Sequence, residues 1–516
     1  MLQVKSLTIT QKKDLRTLIK DFDLTLNRGD KAVIIGEEGN GKSTLLKWIY
    51  SPSLISDYAD ADGIRNTQGE LIGYLPQELT DSDKNKTVYE FFSDIGAFNE
   101  SYSEDLYRVA AEMGFSDALV YSDRKMNSLS GGERVKIQMA GILISSPDIL
   151  LLDEPSNDID IATLRRLEET INGFSGAVLF ISHDETLIER TANRVILLEH
   201  LRHKSVARAT VANVPFQTFI EDRKRTFENQ EREALNERRE EKKAMERFRR
   251  IEQAVESDLN SISRRDPSGG RLLKKKMKAV KSMERRYERE HGEMTELPET
   301  ESAITVRFSR QKAMPSGKTV ADFSFPQLEI PDKTVIARNI ELTVKGPEKI
   351  CIVGANGTGK TTLIRKIAKE LLARTDISAC YMSQNYEETL PYGSTPVEYL
   401  APSGSKDDIQ TARTFLGAMN YTAEEMFHPI KELSGGQKAK LFFLKISVCE
   451  ADVLILDEPT RNLSPLSGPE VRRILKQFPG AVISVSHDRK YISEVCNKVY
   501  EMTKEGLKPA DIAATV

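Results

Sequence analysis

Cysteine is scarce in this 516-residue chain. Cys351, Cys380, Cys449 and Cys496 are scattered, with no paired spacing of the kind that frames a metal site or a disulfide set. They read as small buried apolar side chains in a reducing compartment. No run of eighteen or more uncharged apolar residues occurs, so no membrane span and no membrane partner are expected. Residues 1–5 read as the start of a strand, not as a secretory or transit segment, and a cytoplasmic location is the expectation. Charge of either sign is in little excess, at a net −4. That balance is uneven, because Lys and Arg outnumber Asp and Glu between Glu221 and Glu290. A basic centre between acidic flanks points to a polyanionic partner at the centre.

What the chain does have is an internal repeat of five motifs in one order. Gly36, Glu37, Glu38, Gly39, Asn40, Gly41, Lys42, Ser43 and Thr44 recur as Gly354, Ala355, Asn356, Gly357, Thr358, Gly359, Lys360, Thr361 and Thr362. Tyr74, Leu75, Pro76 and Gln77 recur as Tyr381, Met382, Ser383 and Gln384. Leu129, Ser130, Gly131, Gly132 and Glu133 recur as Leu433, Ser434, Gly435, Gly436 and Gln437. An apolar run ending in Asp153 and Glu154 recurs at Asp457 and Glu458, and Ser182, His183 and Asp184 recur as Ser486, His487 and Asp488. Two cassettes follow, at residues 1–215 and 304–516, with 216–303 between them. Each cassette reads as α/β. A short apolar run (31–35, 350–353) ends at a glycine and is followed by a helical pattern. The runs 149–152, 177–181, 453–456 and 481–485 read as strands buried on both faces of a mainly parallel sheet.

The glycine-rich loops have a clear chemistry. Backbone N–H groups turn inward around phosphates, Lys42 and Lys360 reach the β and γ phosphates, and Ser43 and Thr361 offer a hydroxyl to Mg²⁺. Asp153 and Asp457 end strands at the carboxyl edge of the sheet, where ligands bind in such folds. They are expected to hold Mg²⁺ through water. Glu154 and Glu458 are the candidate general bases for the attacking water. Gln77 and Gln384 are candidates to orient that water or sense the metal. His183 and His487 are candidates to contact the γ-phosphate. A lone strand-end Asp-Glu pair or a lone His is usually structural. Repetition beside a phosphate loop argues for function at these positions.

These motifs in this order resemble the ABC ATPases, and Leu-Ser-Gly-Gly is the most specific of them. The resemblance covers both cassettes. It implies two ABC-type P-loop nucleotide-binding domains that meet head to tail. One ATP would lie between residues 36–43 and Ser434, Gly435 and Gly436. The other would lie between residues 354–361 and Ser130, Gly131 and Gly132. Small residues at a helix N-terminus suit a second phosphate contact. ATP would join the halves within one chain, implying a monomer, and hydrolysis would release them. Two departures stand out. No aromatic suited to stack on adenine occurs between Ile9 and Leu24 or between Ile330 and Leu342. After the second Asp-Glu pair, Ser464 stands where the family has a carboxylate that helps couple the sites, which implies unequal sites.

The intervening segment is helical by period. Ile251, Val255, Leu259 and Ile262 are followed, after a break, by Leu273, Met277, Val280, Met283 and Tyr287. Residues 266–270, Asp-Pro-Ser-Gly-Gly, read as the breaker at the tip of an antiparallel helical hairpin. Residues 216–262 would reach roughly 70 Å as unbroken helix. Arg264, Arg265, Arg271, Lys274, Lys275, Lys276, Lys278 and Lys281 cluster around the tip, with Asp266 the one acid among them. Alternating charges elsewhere in the segment read as a solvated face. This cluster reads as a phosphate-contacting surface with salt-dependent binding. With few aromatics to stack bases, structured RNA suits it better than single strands.

Two cassettes with no membrane span and a charged helical linker resemble the ABC-F proteins. The resemblance implies a 70S ribosome partner (rRNA and tRNA), with the hairpin inserted near the tRNA exit site and the peptidyl-transferase centre. Residues 460–469 resemble the subgroup that protects ribosomes from antibiotics. The intervals from Gln77 to Leu129 (52 positions) and from Gln384 to Leu433 (49) leave little room for a large arm insertion, which also fits that subgroup. Other readings stay open. They are a general translation factor, the energy module of a transporter whose membrane part is a separate chain, and a coiled-coil ATPase acting on DNA.

Overall fold

The computed structural model describes residues 1–100, 103–201, 206–261, 267–290, 314–330, 334–448 and 451–515. The chain divides into two units. One is made of Met1–Phe216 with Glu301–Val516, and the other is Gln217–Thr300.

In the larger unit each cassette is built on a six-stranded sheet. The order in the first is Ile72–Leu75, Ile149–Asp153, Ala177–Ile181, Lys31–Ile35, Arg194–Leu201, Val206–Ala212. All neighbours are parallel except the last pair. The second cassette repeats this with Ala379–Met382, Val453–Asp457, Ala481–Val485, Lys349–Val353, Lys498–Thr503 and Gly506–Ala510. The central strands are buried along their whole length. That is why they read as continuous apolar runs without alternation. An antiparallel sheet accompanies each. It has three strands in the first cassette (Thr17–Leu26, Leu2–Gln11, Ala59–Asn66) and, among the described residues, two in the second (Thr319–Glu329, Val335–Lys345).

The topology positions the chemistry. In each cassette the phosphate-loop strand lies between strands that arrive more than 120 residues later. Asp153 and Asp457 therefore end the strands two places from the loops. Helices Lys42–Tyr50 and Lys360–Leu372 start directly from the loops, with Gly41 (φ 86°) and Gly359 (φ 95°) in the left-handed region at their N-caps. A side chain there would be strained. Gly36 has a second reason to be glycine, since a Cβ would sit 2.3 Å from the Leu198 carbonyl oxygen.

Among its described residues the smaller unit is a pair of helices, Phe216–Ser261 from Gln217 onward and Pro267–Glu290. Phe248 packs edge-on against Tyr287, with ring centroids 5.9 Å apart, and Lys281 pairs with Glu252 at 3.4 Å. Contacts that run backward in one helix as they run forward in the other make the pair antiparallel. Val255 and Val280 are buried between polar neighbours. The expected breaker is corrected in part: residues 267–270 form the first turn of the second helix. Proline lacks an N–H that this first position does not use. Two residues of the expected apolar stripe, Ile251 and Met283, are exposed, because a 3.6-residue period drifts away from a fixed seam. Ile262, Arg264, Arg265 and Cys449 lie outside the described residues. Of the other cysteines, Cys351 and Cys496 are buried, whereas Cys380 is only partly so.

Candidate nucleotide sites between the cassettes

Two cavities lie between the cassettes. One, of about 430 Å³, is lined by Gly39, Gly41, Lys42, Ser43, Thr44, Gln77, Glu154 and His183 of the first cassette and by Ser434 and Asn462 of the second. The other, of about 590 Å³, is lined by Asn356, Gly357, Gly359, Lys360, Thr361, Thr362, Gln384, Asp457, Glu458 and His487 with Ser130, Gly131 and Asp158. Each cavity thus joins one phosphate loop to the opposite Leu-Ser-Gly-Gly motif. They are called the first and second site below, after the phosphate loop each contains.

The phosphate-loop lysines are buried and held over their own loops. Lys42 Nζ donates to the carbonyls of Gly36 (2.8 Å) and Glu37 (3.0 Å), and Lys360 Nζ to those of Gly354 (2.8 Å) and Ala355 (2.9 Å). Ser43 Oγ donates to Asp153 Oδ1 at 2.9 Å. Burial pushes both Asp153 and Asp457 up to about 6, against the pull of Ser43 and Thr361 respectively. Asp153 Oδ2 and both carboxylate oxygens of Asp457 are buried without a hydrogen-bond partner. Such oxygens are costly unless a cation or donor meets them. A hard divalent cation beside the Ser43 or Thr361 hydroxyl suits this donor set. Among the described residues no group of three or more His, Cys, Asp or Glu forms a complete metal cage. Phosphate and water would have to supply the remaining ligands.

The two Glu-His pairs differ. His183 Nε2 lies 2.9 Å from Glu154 Oε1, and His183 Nδ1 lies 2.6 Å from the Leu463 carbonyl of the other cassette. Burial would raise Glu154, but His183 and Lys42 together outweigh it and hold the carboxyl below its usual range. In the second site His487 Nε2 is 3.9 Å from Glu458, although the His487 N–H donates to Glu458 Oε2 at 3.3 Å. Burial and neighbouring Asp457 push Glu458 up to about 8. Burial and Lys360 push His487 down to about 3.

The opposite-cassette motifs are helix N-termini shaped for close approach. Ser130 and Glu133 form a reciprocal capping box on helix Gly131–Ile144. Ser434 and Gln437 do the same on Gly435–Val448 with an amide. A Cβ on Gly131 would lie 2.3 Å from the Asp158 carbonyl oxygen, and one on Gly435 would lie 2.7 Å from Asn462 Nδ2. The segments after the Asp-Glu pairs therefore lie over these motifs.

Sequence reasoning missed several contacts. Glu38 Oε2 accepts the Gly436 N–H at 2.9 Å, and Glu37 pairs with Lys440. In the second site Asn356 Nδ2 donates to the Asp158 carbonyl at 2.6 Å, while Gln384 and Arg461 reach the Asp158 carboxylate. Candidate adenine neighbours are Leu18 and Tyr58 in the first site and Ile330 and Ile336 in the second. Tyr58 follows the phosphate loop, outside residues 9–24, and the others are aliphatic. In the smaller unit Arg271, Lys274, Lys275, Lys276, Lys278 and Lys281 are all exposed along helix Pro267–Glu290.

The ABC transporter family pattern matches residues 19–157 and 337–461, about half of the chain. The chain belongs to this family, as a twin-cassette ATPase that binds and hydrolyses ATP. Among the described residues no helix is long and apolar enough to cross a membrane. Relatives that align over nearly the whole chain are ABC-F proteins. The ribosome protection protein VmlR of Bacillus subtilis (strain 168) is 28% identical, over 96% of this chain and 85% of that protein. ABC transporter F family member 5 of Arabidopsis thaliana is 25% identical, over 94% and 73%. Among solved structures, an archaeal ribosome recycling factor, aABCE1, in complex with ribosomal stalk protein aP1, shares the fold. Its TM-score is 0.59 at 16% identity, over 97% of this chain and 89% of that one.

Proposed function

We propose that this protein is a Mg²⁺-dependent ATPase that acts on the 70S ribosome, and that its helical pair protects the ribosome from antibiotics near the tRNA exit site. Each ATP is held between one phosphate loop and the opposite Ser-Gly-Gly. Asp153 and Asp457 hold the cation with Ser43 and Thr361. Glu154 and Glu458 take the proton of the attacking water, and His183 and His487 face the γ-phosphate, with Gln77 and Gln384 beside the cation. A Mg²⁺ ion held by these residues would supply charge neutralisation at the phosphates. ATP held this way joins the cassettes, and hydrolysis releases them.

The observation that carries the reading is the row of exposed cations on helix Pro267–Glu290, in a chain whose relatives include a ribosome protection protein. Arg271, Lys274, Lys275, Lys276, Lys278 and Lys281, with Arg264 and Arg265, supply the phosphate contacts to rRNA or tRNA. A Glu154→Gln/Glu458→Gln chain with ATP is expected to co-sediment with 70S ribosomes at low salt. Its absence from the ribosome pellet would refute the proposal. Reversing the charge of Lys274, Lys275 and Lys276 is expected to weaken association and flatten its salt dependence. Recovery of drug-inhibited translation on adding the protein separates protection from a general role in translation.

A further inference from the structure

The helices flanking the two His motifs carry opposite charge at matched positions. From Ser130 and Ser434 onward, the second cassette repeats the first at a constant offset of 304 residues, which relates Asp153 to Asp457 and His183 to His487. The same offset relates Glu168 to Arg472 and Glu185 to Arg489. Each acid of the first cassette stands where the second has an arginine.

The structure brings these four side chains together across the cassettes. Arg472 donates from both terminal nitrogens to Glu185, at 2.6 and 3.0 Å. Arg489 pairs with Glu168. All four are buried, with side-chain exposures of 4% for Arg472, 7% for Glu185, 0% for Arg489 and 8% for Glu168. Lys490, matched to Thr186, adds pairs with Glu185 (3.4 Å) and Glu189. Gly468 opens the space beside this cluster, since a Cβ there would lie 2.0 Å from Glu185 Oε1.

A buried ion pair contributes little net stability, because desolvation offsets the attraction. Burying two like charges together is strongly unfavourable, so such a cluster acts mainly on the choice of partner. The contact rule is symmetric: position 168 or 472 faces position 185 or 489 of the other cassette. Two first cassettes meeting this way would set Glu168 against Glu185 twice. Two second cassettes would set Arg472 against Arg489 twice. One cassette of each kind sets each arginine against an acid, with Glu494 and Asp184 adding to the arginines' partners and Arg190 to those of Glu168.

We propose that this charge-reversed cluster is a keyed docking surface whose partner is the opposite cassette. It admits first-with-second pairing and rejects homotypic pairing between chains. Within one chain the opposite cassette is tethered, so its effective concentration favours pairing in the same molecule. The inference is independent of any ribosomal partner.

The test uses four full chains: the unsubstituted protein, Glu168→Arg/Glu185→Arg, Arg472→Glu/Arg489→Glu, and the fourfold exchange. ATP hydrolysis and sedimentation velocity with ATP are read on each. Each double variant carries four like charges at the interface and is expected to lose at least about tenfold in turnover. The fourfold exchange restores the two cross-cassette pairs but leaves Lys490, Asp184, Glu494 and Arg190 beside like charges, so it is expected to regain part of the lost turnover, at least about threefold over either double. An equimolar mixture of the two doubles is expected to sediment as a complex that neither forms alone. A fourfold variant no more active than the doubles would overturn the proposal. So would doubles with unchanged turnover, or a mixture no larger than its parts. Where the doubles do not fold, the fourfold variant decides alone. A fourfold variant that unfolds cooperatively and hydrolyses ATP supports the proposal, and one that does neither overturns it.

Discussion

The first and second nucleotide sites share a repeat but present different chemistry. In the first, the loop acids Glu37 and Glu38 reach across to Lys440 and the Gly436 N–H. The matched loop residues of the second site are Ala355 and Asn356, and Asn356 donates to a backbone carbonyl. In the first, Glu154 is paired with His183, which is also fixed by the opposite Leu463 carbonyl. In the second, Glu458 sits 3.9 Å from His487, in an environment that favours the uncharged form of both side chains. The same candidate residues do not make the same site, because their charged neighbours differ. In the first site His183 draws Glu154 toward its charged form, whereas burial in the second draws Glu458 toward its neutral form.

The largest expected effect would break both sites together. Glu154→Gln/Glu458→Gln should lower steady-state ATP turnover by about 100-fold or more, the scale of removing a general base, measured as phosphate release. Single variants sharpen the comparison. Both should lower turnover, and Glu154→Gln should cost about threefold more than Glu458→Gln. Unchanged turnover in Glu458→Gln would show that the second site does not hydrolyse ATP. A smaller effect tests the loop acids. The Glu38 carboxylate occupies the Gly436 N–H that a γ-phosphate would need, so Glu38→Ala should tighten ATP binding at the first site by about three- to tenfold. Calorimetric titration measures this, and weaker binding would contradict it.

The smallest effect concerns the helix caps of the two Ser-Gly-Gly motifs. Glu133 is pulled down to about 2 by its hydrogen bonds to Arg124, against burial and with help from Ser130. A depressed carboxyl stabilises the fold above its ordinary value of 4.5, and that contribution is lost as pH falls toward 2. Being partly exposed and screened, it is worth no more than about 1 kcal/mol. The Tm difference between the protein and Glu133→Gln should therefore be largest near pH 6 and shrink as pH falls from 5 to 3. Gln437, the matched residue, does not titrate, so Gln437→Ala should shift Tm by the same amount at both pH values.

The repeat made the sheet strands, phosphate loops and Asp-Glu ends legible in sequence, because each is local and occurs twice. Strands such as 149–153 announce themselves by unbroken apolarity, and the helix starts by Gly41 and Gly359. The contacts between cassettes were not legible. Glu38 and Gly436 are 398 residues apart, and His183 and Leu463 are 280 apart. No spacing rule links them until the cassettes face each other. The candidate adenine neighbours give no aromatic signal before the loops, because Leu18 and Ile336 are aliphatic and Tyr58 comes from beyond the loop. Charge reversal at Glu168 and Arg472 shows only once the repeats are aligned on a fixed offset. The helical segment was legible by period, but Met283 and Ile251 show that a stripe in sequence does not decide which residues a helix pair covers.

Counting nucleotides tests the central claim most directly. The Glu154→Gln/Glu458→Gln chain, incubated with Mg²⁺ and ATP and freed of excess nucleotide, should retain two ATP molecules per chain by native mass spectrometry. Either Ser130→Arg or Ser434→Arg should reduce that count to one. A chain that never retains more than one ATP would contradict the account of two composite sites.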